Sequence, residues 1–171
     1  MAGRVHKSFF DRAHKAIDDE YYLEAVMYDY AAIEGRLEAI CGLLGCPCNK
    51  ALDPKARSTI KISQRIKCLK ALYKKHPACV DSKTKITNAF WMRLSQWTKT
   101  RNIYVHGLYK RPELYKQRMG ERRSLAKEGL ELARLLYNEA KRIRRLKDKH
   151  PERLDYTGQY CKASPCFEKD E

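Results

Sequence analysis

Apolar positions along this chain recur at steps of three and four, the repeat that gathers side chains on one face of an α-helix. Val5, Phe9, Ala13 and Ile17 set a first helix. The stretch "EYYLEAVMYDYAAIEGRLEAICGLLG" carries the repeat through Val26, Ile33, Leu37, Ile40 and Leu44, with its acids expected on the opposite, solvated face. Gly45 and Pro47 predict the end of that helix, and "GCPCNKALDPKAR" reads as a loop with "DP" as its turn signal. Ile62, Ile66, Leu69 and Tyr73 define a third helix, stopped by "HP" at 76 and 77. A fourth, expected to start at an Asp81 or Ser82 cap, carries Ile86, Phe90, Leu94 and Trp97. A fifth follows "RPE", is weakened by Gly120 and Gly129, and is marked by Leu132, Leu136, Ala140 and Ile143 before Pro151 ends it. No alternating strand pattern and no internal repeat is present. The expectation is an all-α bundle of about five helices over residues 1–150, with an irregular C-terminal tail over 151–171.

One position breaks the pattern. The fourth helix steps from Ile86 to Phe90, Leu94 and Trp97, and the next place on that stripe is Arg101, inside "TKTRNIYVHGLYK". His106 follows five residues later. On a regular helix these two lie ~140° apart at ~100° per residue, so they would not aim at one point. Two arrangements remain open. Gly107 could end the helix so that His106 lies in an irregular last turn and Arg101 bends toward it. Alternatively, a second copy of the chain supplies the group that His106 works with, and the stripe from Phe90 to Trp97 is then an interface stripe. The aromatic set Phe90, Trp91, Trp97 and Tyr104 reads as packing by its spacing, with Trp91 off the stripe and free to face a partner.

Composition narrows the partner. A chain of 171 residues suits one domain with a real core. No stretch approaches the ~20 apolar residues of a membrane span, and "MAGRVHKSFF" has no apolar leader core, so the cytoplasm is the expected compartment. Net charge is +15. Residues 54 to 80 hold eight lysines and arginines and no acid, and "KRIRRLKDKH" adds six against one aspartate. Residues 18 to 38 hold seven acids and one arginine. Basic and acidic helices could neutralise each other, but so large an excess favours a polyanion, and nucleic acid over membrane because no basic stretch carries an exposed aromatic anchor. Lys67, Lys70, Lys74, Lys141, Arg142 and Arg145 are the candidate RNA contacts.

The seven cysteines are consistent with a reducing compartment, with Cys41 and Cys68 on predicted helices as buried reduced thiols. A zinc site is the alternative. Joining "CPC" at 46–48 to "HPAC" at 76–79 fails, because the helix between them holds the loops ~25 Å apart at ~1.5 Å per residue. Cys46 and Cys48 with Cys161 and Cys166 stay open as a metal set, without a CxxC knuckle to support them. No other metal or cofactor is expected.

An arginine with a neutral imidazole suits phosphodiester chemistry. Guanidinium presents a rigid fork of donors to phosphate oxygens and to the extra charge of a pentavalent transition state. Histidine can take a proton from a ribose 2′-OH or give one to a leaving 5′-oxygen near neutral pH. Around the motif the chain lacks the clustered carboxylates of two-metal nucleases, and no Gly-rich phosphate loop or HExxH is present.

"RNIYVH" is similar to the R-N-x-x-x-H signature, a form of Rx4-6H, of the HEPN superfamily (higher eukaryotes and prokaryotes nucleotide-binding). That resemblance implies an all-α bundle that forms a homodimer, two motifs meeting in a shared cleft, and metal-independent endoribonuclease activity in toxin–antitoxin, abortive-infection or CRISPR-linked defence. Arg101 and His106 match the catalytic pair, and Asn102 the polar residue after the arginine. The second helix, with "AAIEGRLEAI", also resembles members that carry a glutamate there, which makes Glu34 the candidate to orient Arg101. An antitoxin or other regulatory protein partner is implied too. One departure concerns control: members paired with a nucleotidyltransferase antitoxin carry H-x-Y, whereas "HGLY" places Tyr109 one residue out of register. The rival reading is a non-catalytic helical module that binds RNA or protein, in which Arg101 and His106 only cap and pair a helix or hold phosphate.

Overall fold

The computed structural model describes residues 2–46, 60–75, 84–110 and 119–149. They form five helices, α1 (Ala2–Asp18), α2 (Tyr22–Leu43), α3 (Ile62–Lys75), α4 (Asn88–Lys110) and α5 (Met119–Lys149), with no strand among the described residues. The chain is all-α, as its periodicity predicts. Val26, Ile33, Leu37 and Ile40 on α2, Leu44 just past its end, Ile62, Ile66, Leu69 and Tyr73 on α3, and Leu132, Leu136, Ala140 and Ile143 on α5 are all buried. No helix among the described residues is long and apolar enough to cross a membrane. The tail expected over 151–171 lies outside them, as do Cys48, Cys161 and Cys166.

Helix ends follow local chemistry. α1 stops where Glu20 turns left-handed at φ 62°, with the Tyr21 amide donating to Ala16 O at 2.7 Å and the Glu20 amide to Ile17 O at 3.2 Å. This pair of reversed bonds satisfies carbonyls the helix would otherwise orphan. α2 ends the same way at Gly45, φ 63°, with Cys46 N donating to Cys41 O at 2.8 Å and Gly45 N to Gly42 O at 3.3 Å. The glycine expected to end α2 does so. α4 begins later than expected, at Asn88 and not near Asp81 or Ser82. The cap is Thr87, whose Oγ1 accepts the Phe90 amide at 3.3 Å, while Thr84 Oγ1 accepts the Ile86 amide and holds the chain in a turn before it.

Contacts divide the chain into two compact units, Met1–Ile33 with Met92–Arg134 and Glu34–Trp91 with Leu135–Glu171. α2, α4 and α5 contribute residues to both. In the first unit Trp97 is 1% exposed and its Nε1 donates to Leu125 O at 2.8 Å. Arg93 reaches Glu131 at 3.0 Å and Glu128 at 3.4 Å across the surface, and Phe9 tilts against Tyr28.

The second unit buries a polar knot. Glu139, 4% exposed, accepts from Tyr73 Oη at 2.8 Å, Thr84 Oγ1 at 3.0 Å and the Arg142 fork at 2.7 and 2.9 Å. Four donors saturate the carboxylate, which a buried charge requires. Trp91 does not face a partner. It is 3% exposed and sits edge-on to both Tyr73 and Phe90, with centroids 5.3 Å away in each case. Cys41 is buried and outside any disulfide, as its helical position predicts, but Cys68 is joined to Cys46 in a disulfide that ties the end of α2 to α3. The expectation of a reduced Cys68 is therefore corrected, and Cys46 leaves the zinc set. Helical position predicts burial of Cys41 and Cys68 but does not show that Cys46, expected in a loop, meets Cys68.

Candidate functional site

α4 carries Arg101, Asn102 and His106, and it runs without a break through Gly107 to Lys110. Gly107 does not end the helix. No Cβ clash or positive φ marks it, and a helix interior accepts a glycine at a cost of about 1 kcal/mol. Over five residues of regular helix the rise is ~7.5 Å and the turn ~140°, so Arg101 and His106 of one chain point to different sides of α4. Asn102, Ile103 and His106 are exposed, and Ile103 is 68% exposed.

The Arg101 guanidinium lies back against α2. Its Cζ sits 4.0 Å over the Tyr30 ring, Nη2 reaches Met27 Sδ at 3.3 Å, and Nη1 donates to Asn102 Oδ1 at 3.0 Å. Nε is buried without a hydrogen-bond partner. A ring face attracts a cation by about 0.5–2 kcal/mol, and a thioether is only a weak acceptor. Among the described residues, then, the charge is held in place without a carboxylate to neutralise it. Tyr104, one turn on, gives its hydroxyl to Glu121.

The stripe that leads to Arg101 is core. Phe90, Leu94 and Trp97 are 4%, 0% and 1% exposed within the one chain, so the expectation that they form an interface stripe is overturned. α5 supplies the cover that the sequence alone could not assign, through the Trp97–Leu125 bond and the close approach of Gly129 to the Trp97 ring.

The other candidates fall in the second unit. Glu34 stands 3.9 Å from Arg65, a buried cation that also reaches Glu38 at 3.6 Å, so this carboxylate has a structural partner of its own. Lys67, Lys70 and Lys74 share one face of α3, with Lys70 half-buried and the other two exposed. Lys141 and Arg145 are exposed on α5, whereas Arg142 is engaged by Glu139 with only 17% of its side chain accessible.

Two buried ionisable side chains lie where the helical pattern predicts none. Asp29, expected on the solvated acidic face of α2, is 1% exposed, and neither carboxylate oxygen has a hydrogen-bond partner. Burial pushes its pKa up to about 8. The signal was present: Asp29 is three residues after Val26 and four before Ile33, on the apolar stripe itself. Arg36, 7% exposed, lies with its Cζ 4.7 Å from the Tyr137 ring. Burial lowers its pKa, with Tyr137 opposing the shift and Arg144 adding to it.

Among the described residues no group of three His, Cys, Asp or Glu side chains is placed to hold a metal. No family model, curated protein or solved structure matches this chain.

Proposed function

We propose that the protein is a metal-independent endoribonuclease of HEPN type, acting as a homodimer in which Arg101 of one chain and His106 of another serve one phosphodiester. The observation that carries this reading is the Arg101 guanidinium, fixed over Tyr30 and bonded to Asn102 with no carboxylate among its partners. Such a cation is poised for an anion, and a bridging phosphate fits its fork. His106 would take the 2′-OH proton. The 2′-oxygen then attacks phosphorus, the P–O5′ bond breaks, and the leaving oxygen takes a proton from an imidazolium. Arg101 would stabilise the pentavalent charge, and the products would be a 2′,3′-cyclic phosphate and a 5′-OH.

The unbroken helix is the reason for a composite site, since one α4 cannot turn both groups to one point. With Trp97 committed to the core, pairing falls to exposed apolar positions beside the motif, Ile103 at 68% and Met27 at 44% exposure. The basic faces of α3 and α5 would hold the rest of the RNA. A cytoplasmic toxin–antitoxin or phage-defence role, with an antitoxin or regulatory protein restraining the enzyme, is the biological setting we favour for this chemistry.

The same unbroken helix also supports the rival reading, a non-catalytic module whose Arg101 only holds phosphate. Incubation with RNA in EDTA separates the two. We expect cyclic-phosphate products, no cleavage of a 2′-deoxy substrate, and a loss of roughly 100-fold or more with Arg101→Ala or His106→Ala. Ile103→Glu should give a monomer that does not cleave. Binding without cleavage by the native protein would establish the module instead.

A further inference from the structure

The second unit contains a cavity of about 180 Å³ lined by Lys70, Tyr73 and Lys74 of α3, and by Ile86, Thr87, Asn88 and Trp91 at the start of α4. We propose that this cavity is a binding site for a phosphomonoester group, distinct from the Arg101 motif though its two lysines lie on the basic face of α3.

Charge is the first argument. Lys70 and Lys74 are one turn apart on α3, and neither has a carboxylate partner among the described residues. Among the described residues no acid lines the cavity. Glu139, behind Tyr73, is consumed by Tyr73, Thr84 and both arms of Arg142, so its charge is not offered to the lysines. Two lysines therefore line a concave space to which no described residue contributes a carboxylate.

Donor geometry is the second. Thr87 Oγ1 accepts the Phe90 amide, and Thr87 O accepts the Trp91 amide at 3.2 Å. The amides of Asn88 and Ala89, the first two of this 23-residue helix, are left by geometry without an intrahelical acceptor. The Thr87 hydroxyl hydrogen and the Asn88 amide group add side-chain donors. Together with the lysines they give the cavity several donors beside the single Asn88 Oδ1 acceptor, which suits an anion with three oxygens.

Size decides the class. The cavity has room for about six waters at ~30 Å³ each, well below the ~300–1,000 Å³ of sites that enclose a drug-sized ligand. A phosphate with part of its sugar fills it, and the remainder of a larger ester would lie in solvent beyond the exposed rim of Lys74, Thr87 and Asn88. Trp91 is 3% exposed, so it forms an apolar wall against the ester carbon and offers no open face for base stacking. The charge of ≈ −1.5 to −2 on a monoester matches two lysines better than the single charge of a diester.

Titration with ribose 5-phosphate, followed by amide chemical shifts, tests the assignment. We expect saturable shifts at Asn88 and Ala89, quenching of fluorescence that disappears in Trp91→Phe, and no response to ribose. Lys70→Ala with Lys74→Ala should weaken binding at least tenfold, while Arg101→Ala leaves it unchanged. Inorganic phosphate should compete and chloride at equal ionic strength should not. Unchanged affinity in the double lysine variant, or shifts that never saturate, would overturn the proposal. Loss of RNA cleavage in Arg101→Ala with ribose 5-phosphate binding intact would show that the two sites stand or fall separately.

Discussion

Gly129 of α5 lies so close to Asp29 of α2 that a Cβ at position 129 would stand 2.7 Å from the Asp29 Oδ2. The same Cβ would stand 2.7 and 2.9 Å from two atoms of the Trp97 ring. Helices approach this closely only where one of them carries no side chain, and here the approach seals an unpaired carboxyl away from water. The glycine that weakens α5 in a propensity argument is what allows α5 to pack.

Replacing that glycine should therefore act against the usual rule. Gly to Ala inside a helix ordinarily stabilises by about 1 kcal/mol. At position 129 overpacking of about 1–3 kcal/mol opposes it, and Trp97 cannot yield without losing its bond to Leu125. Gly129→Ala should lower the melting temperature, whereas Gly107→Ala, with nothing within 4 Å of its Cβ, should raise it. Equal responses at the two sites in denaturant melts would refute the packing argument.

Asp29 should make stability fall with pH in the neutral range. Its carboxyl is held near pKa 8 in the fold against 3.8 in an unfolded reference. Between those values the native state keeps the proton and the unfolded state has lost it, so stability declines by up to about 1.4 kcal/mol per pH unit and levels off above pH 8. Asp29→Asn cannot ionise. Its stability advantage over the native chain should be small at pH 4 and reach several kcal/mol at pH 8. Parallel pH profiles of melting temperature for the two proteins would contradict this.

Glu20 holds a backbone conformation that costs a non-glycine residue about 1–2 kcal/mol. Glycine removes that cost and returns part of it as unfolded-state entropy. Glu20→Gly should stabilise by about 0.5–1 kcal/mol in a chemical melt, with unchanged helicity by circular dichroism. A destabilised variant would mean that the Glu20 side chain contributes more than its backbone loses.

RNA binding should weaken steeply with salt, because α3 and α5 offer exposed cations at Lys67, Lys74, Lys141 and Arg145. Each phosphate contact on single-stranded RNA contributes about 0.7 to the slope of log affinity against log salt. Several contacts imply a tenfold loss or more across physiological salt. Lys67→Ala and Lys141→Ala should each reduce the slope, while Arg142→Ala should instead lower stability by freeing the buried Glu139. A flat salt titration would remove the electrostatic case for RNA.

The sequence by itself determined the helices, most of their buried faces and the stop of α2. These are short-range properties: burial of Val26, Ile33 and Leu37 follows from the 3.6 residue repeat, and Gly45 ends α2 because a left-handed turn is easiest for glycine. It also located Arg101, by the charge that interrupts an apolar stripe. What it could not determine was which faces meet, because that depends on docking between residues far apart in the chain. Trp97 could cover a second chain or α5 equally well until Leu125 and Gly129 were seen against it. Asp29 sat on the apolar stripe in plain view, but only the packed α5 shows that no partner reaches it. Likewise Cys46 and Cys68 meet, and Arg101 lies over Tyr30, through contacts that no local period encodes.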